Sequence, residues 1–188
     1  QPQIRTMTFS PATLPDGVRR ETAWEEDGFT LLGNDSFGSV SVGGSSNSTR
    51  PVNGTDFVNF LFVDSGARIE PLAGGTFDLL SLDLAEYSEV VLNNGSQPEF
   101  IDVSGFKADG STVSVSFQLD MFLDGVGGSP DFQTFAPDSD FQNLVAIEFT
   151  NTLFALDNVV LQIPTPATGV CIMVAGAVAG FRRRRDQR

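Results

Sequence analysis

Histidine is missing from the 188 residues, and cysteine occurs once. The first absence removes Ser-His-Asp and Cys-His catalysis, and His-ligated zinc or iron, from this chain acting alone. The second removes any intrachain disulfide, because Cys171 has no partner. Basic residues are also scarce, 11 against 24 acidic, for a formal net charge of −13. Five of the eleven are Arg182, Arg183, Arg184, Arg185 and Arg188, with Asp186 the one acid among them, so the chain before them carries 6 basic and 23 acidic residues, a net of −17. A surface of that sign repels phosphate backbones, and nucleic acid is not expected as a partner. Trp and Tyr appear once each against 17 Phe. Phe lacks the polar handle useful at wet surfaces, so the aromatics are expected to fill a core. Trp24, in the polar stretch "RRETAWEEDGF", and Tyr87 are the candidate sugar-stacking residues.

Residues 1–163 read as all-β. Short runs of alternating polarity are separated by Gly, Asp, Asn and Ser turn signals every ten residues or so. In "STVSVSFQL" the side chains of Val113, Val115, Phe117 and Leu119 fall on one face, and those of Ser114, Ser116 and Gln118 on the other, which predicts a strand with one wet side. Asp109-Gly110 just before it favours a primed hairpin turn. Further strands are predicted at 4–9, 28–33, 36–42, 56–63, 75–87, 143–151 and 154–163. Helical periodicity competes only in "LLSLDLAEY". Many short strands of this kind predict a two-sheet antiparallel sandwich of jelly-roll type, one domain with a C-terminal tail.

Two loops stand out. Residues 41–56 are rich in Gly, Ser and Asn and read as a surface excursion. Residues 120–140 gather Asp120, Asp124, Asp131, Asp138 and Asp140 without the spacing of a dedicated calcium loop, and read as a solvated acidic segment. The surviving catalytic option is a carboxylate pair of glycosidase type, Glu25 with Glu26 or Asp138 with Asp140. Adjacent acids on a strand point to opposite faces, and the chain is not expected to be an enzyme. Asn34, Asn47, Asn53 and Asn94 fit the N-x-[ST] sequon and agree with exposed loops.

The tail, 164–188, has three parts: "PTP" at Pro164, Thr165 and Pro166, an uncharged and mostly apolar run from Ala167 to Phe181, then "RRRR" at 182–185. As a helix the run would span roughly 22 Å, short of the ~20 residues usual for a bilayer. The arginines supply a positive-inside stop. Read with the start at Gln1, this order suggests a mature exported chain.

The tail resembles the sorting signal of PEP-CTERM proteins of Gram-negative-type bacteria, with Thr165 standing where the name-giving glutamate occurs. The resemblance implies transient insertion in the inner membrane, recognition by an exosortase-type sorting enzyme, and delivery to the cell surface or extracellular matrix, with Pro164, Thr165, Pro166 and Arg182, Arg183, Arg184 and Arg185 as the sorting motif. Segments such as "VSGFKADGSTVSVSF" and "FALDNVVL" resemble galactose-binding-like jelly-roll domains. That similarity implies a structural calcium held by Asp157 and an acid near the first strand, where Asp16 is the candidate because Ser10 stands at the expected glutamate. The function expected is a non-catalytic, exported surface protein. The alternatives are a carbohydrate-binding module with an extracellular polysaccharide as partner, and a self-associating structural subunit.

Overall fold

The computed structural model describes residues 1–9, 19–21, 23–33, 40–43, 50, 51, 55, 57–60, 67–150 and 153–164. They form thirteen strands and one short helix: β1 (Gln3–Met7), β2 (Arg19–Glu21), β3 (Ala23–Glu26), β4 (Phe29–Gly33), β5 (Val40–Gly43), β6 (Phe57–Phe60), β7 (Ala67–Pro71), β8 (Asp78–Glu86), α1 (Glu89–Asn93), β9 (Phe100–Lys107), β10 (Thr112–Gln118), β11 (Gln133–Phe135), β12 (Leu144–Phe149) and β13 (Phe154–Ile163). Two antiparallel sheets stack as the sandwich that the alternating runs predict. One sheet runs β10-β9-β12-β7-β4-β3. The other runs β11-β8-β13-β6-β5-β2, and β1 also pairs with β13. The long β13 follows β8 along one side and divides its other side between β6, at Phe154–Leu156, and β1, at Val159–Ile163.

The core lies between the sheets. Phe9, Phe29, Phe77, Phe141, Phe149 and Phe154 are among its largest fully buried side chains, packed with Leu31, Ile69, Leu82, Leu84, Val103 and Leu156. The expected role of Phe as core filler is what these positions show. In β10, Phe117 is buried and Val113 and Val115 pack against the core, while Ser114, Ser116 and Gln118 are exposed, as the alternation requires. The residues of "LLSLDLAEY" belong to β8 through Glu86, and helical backbone begins only after Ser88, whose hydroxyl accepts from the Val91 amide as an N-cap.

The β9–β10 hairpin differs from the primed turn in one respect. Lys107 and Ser111 close a three-residue loop, with Lys107 N donating to Ser111 O and Gly110 N to Lys107 O, and Gly110 at φ +85°. That is a tight turn followed by a left-handed glycine, the common three-residue solution. The two-residue hairpin occurs instead at Asp27-Gly28, both at positive φ, between Glu26 and Phe29. Among the described residues no helix is long and apolar enough to cross a membrane. The sorting motif, apart from Pro164, lies outside the described residues, as do Asp16 and the sequons at Asn34, Asn47 and Asn53.

Candidate functional site

The outer face of the six-stranded sheet is an ordered polar surface. Alternation aims Phe100, Asp102, Ser104 and Phe106 of β9 away from the core, opposite Gln118, Ser116, Ser114 and Thr112 of β10. The pairs engage each other: Gln118 Nε2 donates to Glu99 Oε1 at 2.7 Å, Ser116 Oγ to Asp102 Oδ1, and the Ser104 and Ser114 hydroxyls lie 3.1 Å apart. The register carries the row inward from Ser104 to Glu148 of β12 and Arg68 of β7. Arg68 donates from Nε to Glu70 at 2.8 Å and from Nη1 to Glu148 at 2.6 Å, and its Cζ lies 5.4 Å from the Phe106 ring centroid. The hydrogen bond to Glu70 is the main influence raising the Arg68 pKa, opposed by partial burial and reinforced by Glu148. Beside it Arg68, Glu70, Pro71, Gly74, Gly75 and Val145 line an open depression of about 370 Å³.

A second constellation sits where the chain crosses from β10 to β11, and so from one sheet to the other. Carboxylate oxygens of Asp120, Asp124 and Asp131 all lie within 4.8 Å of one another. The Gly-rich segment makes this possible. Gly125 N donates to Ser129 O, Gly128 N to Gly125 O, and Ser129 Oγ to Val126 O, with Gly127 and Gly128 at positive φ. A Cβ on Gly125 would stand 2.7 Å from Ser129 O, so only glycine allows the chain to fold back this closely. Downstream, Phe132 packs edge-on against Phe57 at 5.4 Å, and Thr134 donates to Asp83 at 2.6 Å. Behind the aspartates lies Glu86, fully buried at the end of β8, with Oε1 accepting from the Met121 amide at 2.8 Å and Oε2 without a partner. Burial pushes the Glu86 carboxyl up, backbone donors oppose this, and the charges of Asp120 and Asp131 add to the rise. Burial, then the neighbouring Asp124, pushes the Asp131 carboxyl up as well.

Of the residues singled out in the sequence, Asp120, Asp124 and Asp131 belong to this constellation and the others fall elsewhere. Asp157 is fully buried on β13, where Oδ2 accepts from Thr55 Oγ1 at 2.9 Å and Oδ1 from the Asn158 amide at 2.7 Å. Trp24 is half-buried against the core, and its indole N–H donates to Glu26 at 3.1 Å. Tyr87 is 6% exposed, with Arg50 donating to its hydroxyl at 2.9 Å and stacked over its ring at 5.0 Å. Glu25 and Glu26 point to opposite sides of β3, Glu25 exposed and Glu26 occupied by Thr8, Phe9 and Trp24. Asp138 and Asp140 share an exposed turn, in which the Asp140 amide donates to Asp138 Oδ1. Sequence reasoning missed Arg68, Glu70, Glu148 and Glu86. The alternation in "ARIEP" was the available signal for β7, and nothing local marks Glu86, an acid at the end of a strand.

No known family profile matches this chain, and no curated protein does. Among solved structures it is similar to a point mutant of the family 29 carbohydrate-binding module CBM29-2, at 14% identity and a TM-score of 0.40, covering 89% of this chain and 99% of that one. Another mutant of that module, complexed with mannohexaose, gives 13% identity and a TM-score of 0.38 over 86% and 92%. The enzymatically active domain of tailspike protein 4 from bacteriophage CBA120 gives 14% identity and a TM-score of 0.33 over 73% of this chain and 20% of that one. None of these values carries a ligand or an activity over to this chain.

Proposed function

We propose that the chain is a non-catalytic binding module of the cell exterior, that it holds a polysaccharide on the outer face of its six-stranded sheet, and that its PEP-CTERM-type tail directs it there. The observation that carries the ligand class is the clasp at Arg68, fixed by Glu70 and Glu148 and stacked on Phe106. A sugar ring has a rim of hydroxyls that donate and accept, and flanking C–H faces that pack on aromatic rings. The sheet offers carboxylates, hydroxyls, an amide and a guanidinium in fixed rows, with Phe106 half-buried and Phe100 44% exposed beside them. Side chains already held by one another lose little rotamer freedom when a ligand arrives, which favours affinity on an open surface. The non-catalytic reading is supported by the lack of histidine and by the occupation of Glu26, the better placed of the paired acids, by hydrogen bonds within the fold.

The test is retention of the full-length chain on a panel of immobilised polysaccharides, alongside Arg68→Ala and Phe106→Ala. Each substitution should weaken binding about tenfold or more, roughly 1.4 kcal/mol, while Thr134→Ala on the opposite sheet should bind as the parent does. Binding to none of the panel, or binding that survives both substitutions, would remove the reading.

A further inference from the structure

We infer that the β10–β11 crossover is a calcium site, with Asp120, Asp124 and Asp131 as ligands and the buried Glu86 carboxylate beside them. Two observations point the same way. Three carboxylates from positions four and seven apart in sequence converge within 4.8 Å, although like charges at that distance repel. Independently, Glu86 is fully buried with Oε2 unpartnered, and Asp131 Oδ1 is a second buried oxygen without a hydrogen bond. Its other oxygen ties Glu86 to the amide next to Asp120, so the open oxygen belongs to this same corner. A buried carboxylate oxygen with no donor is costly, and the negative charges of Asp120 and Asp131 near Glu86 compound that cost.

The donor chemistry selects the ion. Every candidate ligand is a hard oxygen and, among the described residues, no thiolate or imidazole is near, a set that suits calcium or magnesium and disfavours zinc, copper and iron. The ligands come from a loop of uneven spacing and from the end of a strand, an irregular cage that accommodates the variable coordination of calcium better than the strict octahedron of magnesium. Occupancy would pin the crossover to β8 and thereby tie one sheet to the other. The inference stands apart from the polysaccharide reading, since Arg68 and Phe106 lie on the other sheet.

Thermal unfolding of the full-length chain, first stripped with chelator, decides the matter. Calcium at a hundredfold excess over its Kd should raise the melting temperature by roughly 5–10 °C for a domain of this size, with a smaller rise in magnesium at equal concentration. Asp124→Asn, exposed and free to fold, should lose the calcium response, while Asp109→Asn in the β9–β10 loop should keep it. Glu86→Gln should reverse sign, being as stable as the parent or more so in chelator and less stable in calcium, a pattern that simple loss of a packing residue does not give. No calcium shift, a shift matched by sodium chloride at equal ionic strength, or a shift that survives Asp124→Asn would each overturn the assignment.

Discussion

Glu26 gathers four donors onto one carboxylate: the Thr8 amide and hydroxyl at 3.1 and 2.9 Å, the Phe9 amide at 2.9 Å and the Trp24 indole at 3.1 Å. It thereby fastens the end of β1, in the seven-stranded sheet, to β3 in the other. Phe9 sits at φ +53° and is fully buried, so its amide has to be met within the fold. Glu26→Ala leaves two backbone donors unsatisfied and is expected to cost about 2–3 kcal/mol, read as a lower urea midpoint with an unchanged slope. Glu26→Gln keeps an accepting oxygen and should lose less. The sequence disclosed the alternation that separates Glu25 from Glu26, but not this role, because three of the four donors come from residues 17 and 18 positions away. The same distance problem hides Glu86 from a reading of the acidic loop. Local spacing argued for solvation there, and only the fold brings a buried acid behind the aspartates.

Strands were legible where one face is dry and the other wet. β10 stands out in the sequence almost to the residue because its apolar positions alternate over seven residues, and β13 because it is a mostly apolar run of ten. β7 and β11 were not, since five and three residues carry too few alternations to stand out from a loop. Turn chemistry was readable as Asp-Gly, but loop length was not: the same dipeptide makes a two-residue turn at 27–28 and ends a three-residue one at 108–110. Both glycines have open space around a hypothetical Cβ, so their requirement is one of backbone conformation alone. Gly110→Ala is therefore expected to cost about 1–2 kcal/mol through the left-handed φ, and Gly110→Asn less, measured by chemical unfolding. Equal stability of Gly110→Ala and the parent would contradict the turn assigned here.

At the scale of the whole molecule the charge is divided rather than spread: a net −17 before the tail and an arginine block within it. The architecture gives that division a natural seam. β13 is an interior strand, hydrogen-bonded to β8 along its length and to β1 up to the pairing of Ile163 with Gln3. Among the described residues every ladder contact of the sandwich is thus complete by Ile163, and Pro164-Thr165-Pro166 follows at once in the sequence. A proline has no amide to extend a ladder, which makes it a stop for the strand. If the tail acts as the proposed sorting signal, cleavage between Ile163 and the apolar run separates an acidic domain from a basic membrane stub that retains Cys171. The released domain should melt within about 1–2 °C of the uncut chain, because no strand pairing among the described residues is removed. Replacing Arg182 to Arg185 by neutral residues should weaken retention and reduce processing, since the positive-inside stop is lost. Mass spectrometry of the surface-displayed protein in its native host reads the outcome directly: C-termini between Ile163 and Ala167 are expected, and chains still ending at Arg188 would leave a permanent anchor as the role of the tail.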